Sequence, residues 1–200
     1  MSLSLPRLRL SLLLGALCLA GCAPRRAEST RTTASVSPRS ASDAPSLYDL
    51  TSRWKNHRGE EVSLSSLRGR PRAIAAIYTH CTATCPLALG ELRRIAGATD
   101  SSVGLVRVSL DPARDTPHAL AMYASEHGLD PARWTLLSGS DADVRELAAA
   151  LGIRYRRLDA DAIAHANLIT IVDANGVVVH QQTGFDGTAD AIRIAQSLTH

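Results

Sequence analysis

The 200-residue chain is 45% hydrophobic and 20% charged, which suits one globular domain with extensions and excludes a wholly disordered protein. Its net charge of +3 is unevenly placed: residues 1–45 hold six arginines against Glu28 and Asp43, a net of +4, which leaves about −1 for the remaining 155 residues. The basic character therefore belongs to the N-terminal segment, and a nucleic-acid-binding reading loses its main support.

Arg7 and Arg9 precede the short apolar run "LSLLLGALCLAG", too short for a comfortable transmembrane helix. The run closes on "LAGC", which resembles a bacterial lipobox. That resemblance implies a signal peptide over residues 1–21, cleavage before Cys22 and lipidation of the Cys22 thiol. Cys18 leaves with the signal, so the mature thiols of interest are Cys81 and Cys85, in an exported compartment where disulfides persist. Residues 22–45 are rich in Ser, Thr, Ala, Arg and Pro without an apolar period and read as a flexible tether.

Residues 46–200 read as alternating elements. "RAIAAIY" (72–78) suits a buried central strand, and "PLALGELRRIA" (86–96) a helix with Pro86 at its favoured first position. "VGLVRVSL" (103–110) is a second strand, and "TPHALAMYASEHG" (116–128) a helix that stops at Gly128. A strand at 134–139 and a helix at 141–152 follow. "NLITIVD" and "VVVHQQ" then flank Asn175-Gly176 as a hairpin, and residues 188–199 form a last helix. This βαβ–ββα order predicts an α/β protein of the thioredoxin-like fold, a central mixed β-sheet flanked by helices.

The segment "THCTATCP" (79–86) carries the chemistry. Pro86 biases Cys85 away from helical dihedrals, which puts Cys85 at or just outside a helix N-terminus and Cys81 on the loop leaving the first strand. The helix dipole favours a thiolate near Cys85. Three intervening residues let both sulfurs face one point and also permit a disulfide. The pair alone leaves metal and redox chemistry open.

Three stretches in order carry a family resemblance: "LRGRPRAIAAIYTHCTATCP", "VSLDPARDTPHAL", and His165 ahead of a hydrophobic strand and "DANG". The chain resembles the Sco/SenC proteins, thioredoxin-fold copper chaperones, from about Leu50 to its end. The resemblance implies a copper site built from Cys81, Cys85 and His165. Two thiolates and an imidazole form a soft three-coordinate set that suits Cu(I), whereas structural zinc wants a fourth ligand. Asp111 is expected beside the metal loop, behind the ligands, with Asp115 and Thr116 capping the helix at Pro117. Thr82 and Ala83 stand where members commonly carry Pro-Asp. Tyr78 is expected to pack. His80 points away, and His57, His118, His127, His180 and His200 are solvated.

The function this implies is a membrane-anchored metallochaperone that passes copper to the CuA site of cytochrome c oxidase subunit II or another cuproprotein. It is expected to be a lipid-anchored monomer in the cell envelope, its domain facing the periplasm or the outside. The alternative is a thiol–disulfide oxidoreductase in which Cys81 and Cys85 reduce an acceptor's cysteines. A peroxiredoxin-like reading fails on spacing, because Thr79 lies one residue too close to Cys81.

Overall fold

The structure, a computed structural model, describes residues 44–81 and 84–199. The expected signal peptide, Cys22, all but the last two tether residues, Thr82, Ala83 and His200 lie outside them.

A seven-stranded sheet runs through the domain. β1 (Arg53–Asn56) and β2 (Glu61–Ser63) form an antiparallel pair at one edge. β3 (Arg72–Ile77) leads into helix α1 (Cys85–Ala98), β4 (Gly104–Ser109) into α2 (Pro117–Glu126), and β5 (Trp134–Gly139) into α3 (Asp141–Leu151). β6 (Tyr155–Arg157) and β7 (Ile163–His165) pair only with each other. β8 (Leu168–Val172), β9 (Val178–Thr183) and α4 (Thr188–Ser197) complete the chain. The strand order is β2-β1-β5-β4-β3-β8-β9; β3, β4 and β5 are parallel, and β8 joins β3 antiparallel. This is the mixed, helix-flanked sheet expected of a thioredoxin-like domain.

The local causes are plain. All six residues of β3 and all six of β4 are buried, as mainly apolar central strands require, with Arg72, Arg107 and Ser109 the polar members. Both βαβ crossovers are expected to be right-handed, which places α1 and α2 on one face of the sheet. Accordingly, Arg93 of α1 donates to the His127 carbonyl just past α2. α4 lies against α1, with Gln196 Nε2 donating to the Ala98 carbonyl at 2.8 Å. α3 opens with a capping box between Ser140 and Asp143 and closes on Gly152 in the left-handed conformation. The turn between β8 and β9 uses Gly176 at φ 86°, where a side chain would strike Tyr48.

Each strand and helix predicted from the sequence is present within about two residues of its expected ends. Two pairs were not foreseen: β1–β2 at the edge, and β6–β7, which carries His165 at its end. His57 is corrected as well. It is buried rather than solvated, its Nδ1 accepts the Leu136 N–H at 3.3 Å, and burial pushes its pKa down. No helix among the described residues is long and apolar enough to cross a membrane.

Candidate metal and redox site

The cysteine loop is an extension of the core. Beyond Ile77 the chain continues through buried Tyr78 and turns at Thr79–His80 to reach Cys81. Asp115, fully buried, fixes that turn. Its carboxylate accepts the Thr79 N–H at 3.2 Å, the Thr79 hydroxyl at 2.6 Å and the Ser109 hydroxyl at 2.6 Å. Of the two residues expected to cap α2, only Thr116 does so, accepting the Ala119 N–H at 3.2 Å. Asp115 serves the cysteine loop instead.

Cys81 and Cys85 are both free thiols and both buried. α1 begins at Cys85 itself, so its first amides point back at the Cys81 sulfur, and the Cys85 N–H donates to Cys81 Sγ at 3.4 Å. Burial alone would raise the Cys81 pKa. Hydrogen bonds from the Tyr78 hydroxyl, the Cys85 thiol and the backbone at Cys85 and Thr84 overcome it and bring Cys81 down to about 6. Cys85 goes the other way. Burial and the neighbouring Cys81 hold it protonated, up to about 12, with its S–H donating to the Tyr78 carbonyl at 3.8 Å. The helix terminus therefore favours the thiolate at Cys81, not at Cys85 as expected from the Cys-Pro step.

His165 ends β7, paired across the ribbon with Tyr155. Its Nδ1 lies 3.1 Å from the Ala166 carbonyl, an acceptor only, so the proton sits on Nδ1. Nε2 is buried with no hydrogen-bond partner. Burial, with the Arg107 charge, holds the imidazole pKa below its ordinary value despite the Ala166 carbonyl. A neutral ring with a free, inward Nε2 lone pair is the ligating form of histidine.

Tyr78 links these groups. Its carbonyl accepts from Cys85, its hydroxyl bonds Cys81 and the Ile163 backbone, and its ring meets His165 edge-on at 6.0 Å between centroids. The structure thus brings the two cysteines together and sets His165 against Tyr78. Among the described residues, no three His, Cys, Asp or Glu side chains converge closely enough to hold a metal.

Asp111, fully buried, sits behind this arrangement. Its Oδ2 pairs with Arg114 Nε at 2.6 Å and its Oδ1 with Arg157 Nη2 of β6 at 2.6 Å. Burial would raise its pKa, but the two guanidiniums hold the carboxyl below the usual carboxylate range. Arg114 also reaches Asp161 in the β6–β7 turn at 2.7 Å. "DPARDT" therefore grips both halves of the site, the cysteine loop through Asp115 and the histidine ribbon through Asp111. His80 is exposed, its Nδ1 3.2 Å from the Thr79 hydroxyl. The roles of Asp115 and Tyr78 had no sequence signal beyond their place inside the motifs, and that of Arg157 had none at all.

The SCO1/SenC family model matches residues 41–200. The chain belongs to the SCO1/SenC family. Its relatives include the SCO1 protein homolog of Bacillus subtilis, 27% identical over 141 residues, 68% of this chain and 73% of that one. Bradyrhizobium japonicum ScoI, solved with copper bound, is 29% identical with a TM-score of 0.57, over 71% of this chain and 96% of that one. BsSco, a member of the Sco family of cytochrome c oxidase assembly proteins in which a disulfide switch was identified, is 24% identical. It superposes with a TM-score of 0.66 over 78% of this chain and 96% of that chain, which supports the SCO1/SenC fold.

Proposed function

We propose that this SCO1/SenC protein is a metallochaperone that carries copper on Cys81, Cys85 and His165 and passes it to the CuA site of cytochrome c oxidase subunit II. The observation that carries this reading is the buried, unpartnered Nε2 of His165, linked through Tyr78 to the Cys81–Cys85 pair. A buried polar atom without a partner is costly unless a ligand completes it. Two sulfurs and one imidazole suit a soft monovalent cation. The copper-bound ScoI relative supports the choice of metal.

On this reading residues 1–21 are a signal peptide, lipidated Cys22 anchors the protein, and 22–45 tether the domain of residues 46–200 to the membrane in the cell envelope. Cys85, pushed up by burial, gives up its proton as copper binds, while Cys81, drawn down to about 6, ionises far more readily. Delivery is ligand exchange, in which acceptor thiolates and imidazoles replace these ligands one at a time. The test is to load the reduced chain with Cu(I) and mix it with the metal-free CuA domain of subunit II, following the CuA absorption bands. Appearance of the bands with parent protein, and their loss with His165→Ala, is expected. Bands that form equally well from both proteins contradict the role of His165.

A second activity follows from the unequal thiols. The Cys81 thiolate can attack an acceptor disulfide, forming a mixed disulfide and releasing one acceptor thiolate. Cys85 then loses its proton and attacks Cys81 Sγ, which leaves Cys81–Cys85 oxidised and the acceptor fully reduced. A Cys85→Ser variant is expected to trap the mixed disulfide.

A further inference from the structure

Arg107 occupies the middle of β4 with no exposed surface. Its Nη2 donates to the Ala76 carbonyl at 3.1 Å and its Nη1 to the Tyr123 hydroxyl at 3.2 Å, with the guanidinium 5.9 Å from that ring's centroid. Nε is buried without a partner. Among the described residues no carboxylate forms an ion pair with it. Of the two buried acids on the "DPARDT" segment, Asp115 binds Thr79 and Ser109, and Asp111 is taken by Arg114 and Arg157.

A guanidinium cannot escape burial by losing its proton, and arginine is almost never fully buried unless paired. Packing alone does not call for one here, since β4 is otherwise apolar up to Ser109 and Ala76 needs only a neutral donor. Ala76, whose carbonyl Arg107 holds, lines a small cavity together with His165. Arg107 interacts electrostatically with both the Cys85 sulfur and His165, and Tyr123, which it hydrogen-bonds, feels Cys85 as well.

We propose that Arg107 is the built-in counter-charge of the loaded site and makes it prefer Cu(I) over Cu(II). The inference rests on the copper reading above and deepens it. Two thiolates and a neutral imidazole around Cu(I) carry one net negative charge, and around Cu(II) they carry none. A fixed buried cation therefore stabilises the Cu(I) form selectively.

The test uses the full chain with two neutral substitutions, Arg107→Met and Arg107→Gln, the second keeping a donor for Ala76. Cu(I) and Cu(II) affinities are measured by competition with chelators for each oxidation state. The copper potential is measured by mediated electrochemical titration, and copper-free stability by urea denaturation. Both variants are expected to lose Cu(I) affinity roughly tenfold while Cu(II) affinity holds. That tenfold change corresponds to a copper potential about 59 mV lower. The copper-free variants should be at least as stable as the parent, because a buried charge with no carboxylate partner among the described residues has been removed. Equal losses for both oxidation states, or an unchanged ratio with reduced copper-free stability, would overturn the proposal in favour of a structural arginine. A parent that binds no Cu(I) overturns the copper reading and this inference with it. A parent that binds, with the ratio unchanged in the variants, overturns this inference alone.

Discussion

Cys81 lies just beyond β3, a strand buried along its whole length, and Cys85 opens α1, whereas His165 sits on β6–β7, a ribbon that pairs with no strand of the main sheet. The loop is held by hydrogen bonds inside the core, where water does not compete. The ribbon buries Ile163 in the core and packs Tyr155 against it, and its exposed stretch, residues 156–161, is tied down by ion pairs to Arg114 and Asp111. One segment, residues 111–116, anchors both. The difference teaches that the sulfur pair is fixed by folding, while the histidine is a separately mounted ligand whose placement depends on charge.

The comparison is broken most severely at Asp115. Asp115→Ala leaves two Thr79 donors and the Ser109 hydroxyl unsatisfied in the core, which should lower the unfolding free energy by about 3 kcal/mol in urea denaturation. Asp111→Asn should cost less, about 1–2 kcal/mol, because Arg114 and Arg157 are partly exposed and water replaces some of the lost pairing. Its sharper effect is on the ligand. Cu(I) affinity should fall roughly tenfold as the ribbon loses its anchor, while the alkylation profile of the two cysteines stays as in the parent.

A smaller effect separates the two thiols by pH. Iodoacetamide should modify Cys81 with a midpoint near pH 6 and leave Cys85 unreacted across the physiological range, as read by peptide mass spectrometry. The linkage has a definite sign. The folded state lowers Cys81 from an ordinary 9.0 to about 6, so its contribution to stability is full above the unfolded value and is lost as pH falls through the folded one. The stability gap between parent and Cys81→Ser should narrow accordingly from pH 9 to pH 6. Salt gives the smallest effect. At 1 M, where the screening length is about 3 Å, amide exchange should rise in residues 155–165 and stay unchanged in β3.

Much of this was legible before the structure. The apolar runs of β3, β4 and β8 and the periodic helices announced the sheet and its covering, and "THCTATCP" announced the site. What escaped notice had physical causes. β6 and β7 are three residues each with mostly exposed side chains, so no apolar alternation marks them. Asp115 looked like a cap because it precedes Thr-Pro, and only the tertiary fold shows that its carboxylate turns to Thr79. The thiolate was assigned to the wrong cysteine because α1 starts one residue earlier than Pro86 alone implies, which aims its amides at Cys81. Arg107 did leave a trace, as a charged residue inside an otherwise mostly apolar strand, but its neighbours across the sheet and on α2 cannot be read from the sequence.

The central claim is that the free Nε2 of His165 completes a Cu(I) site with the two cysteines. The most direct measurement is Cu(I) binding by the reduced chain in competition with a chromophoric chelator, with Cys81→Ser and His165→Ala alongside. One-to-one binding that is strongly weakened in both variants is the predicted result. Binding that depends on Cys81 but is indifferent to His165 would contradict the claim and leave the cysteine pair as a redox site.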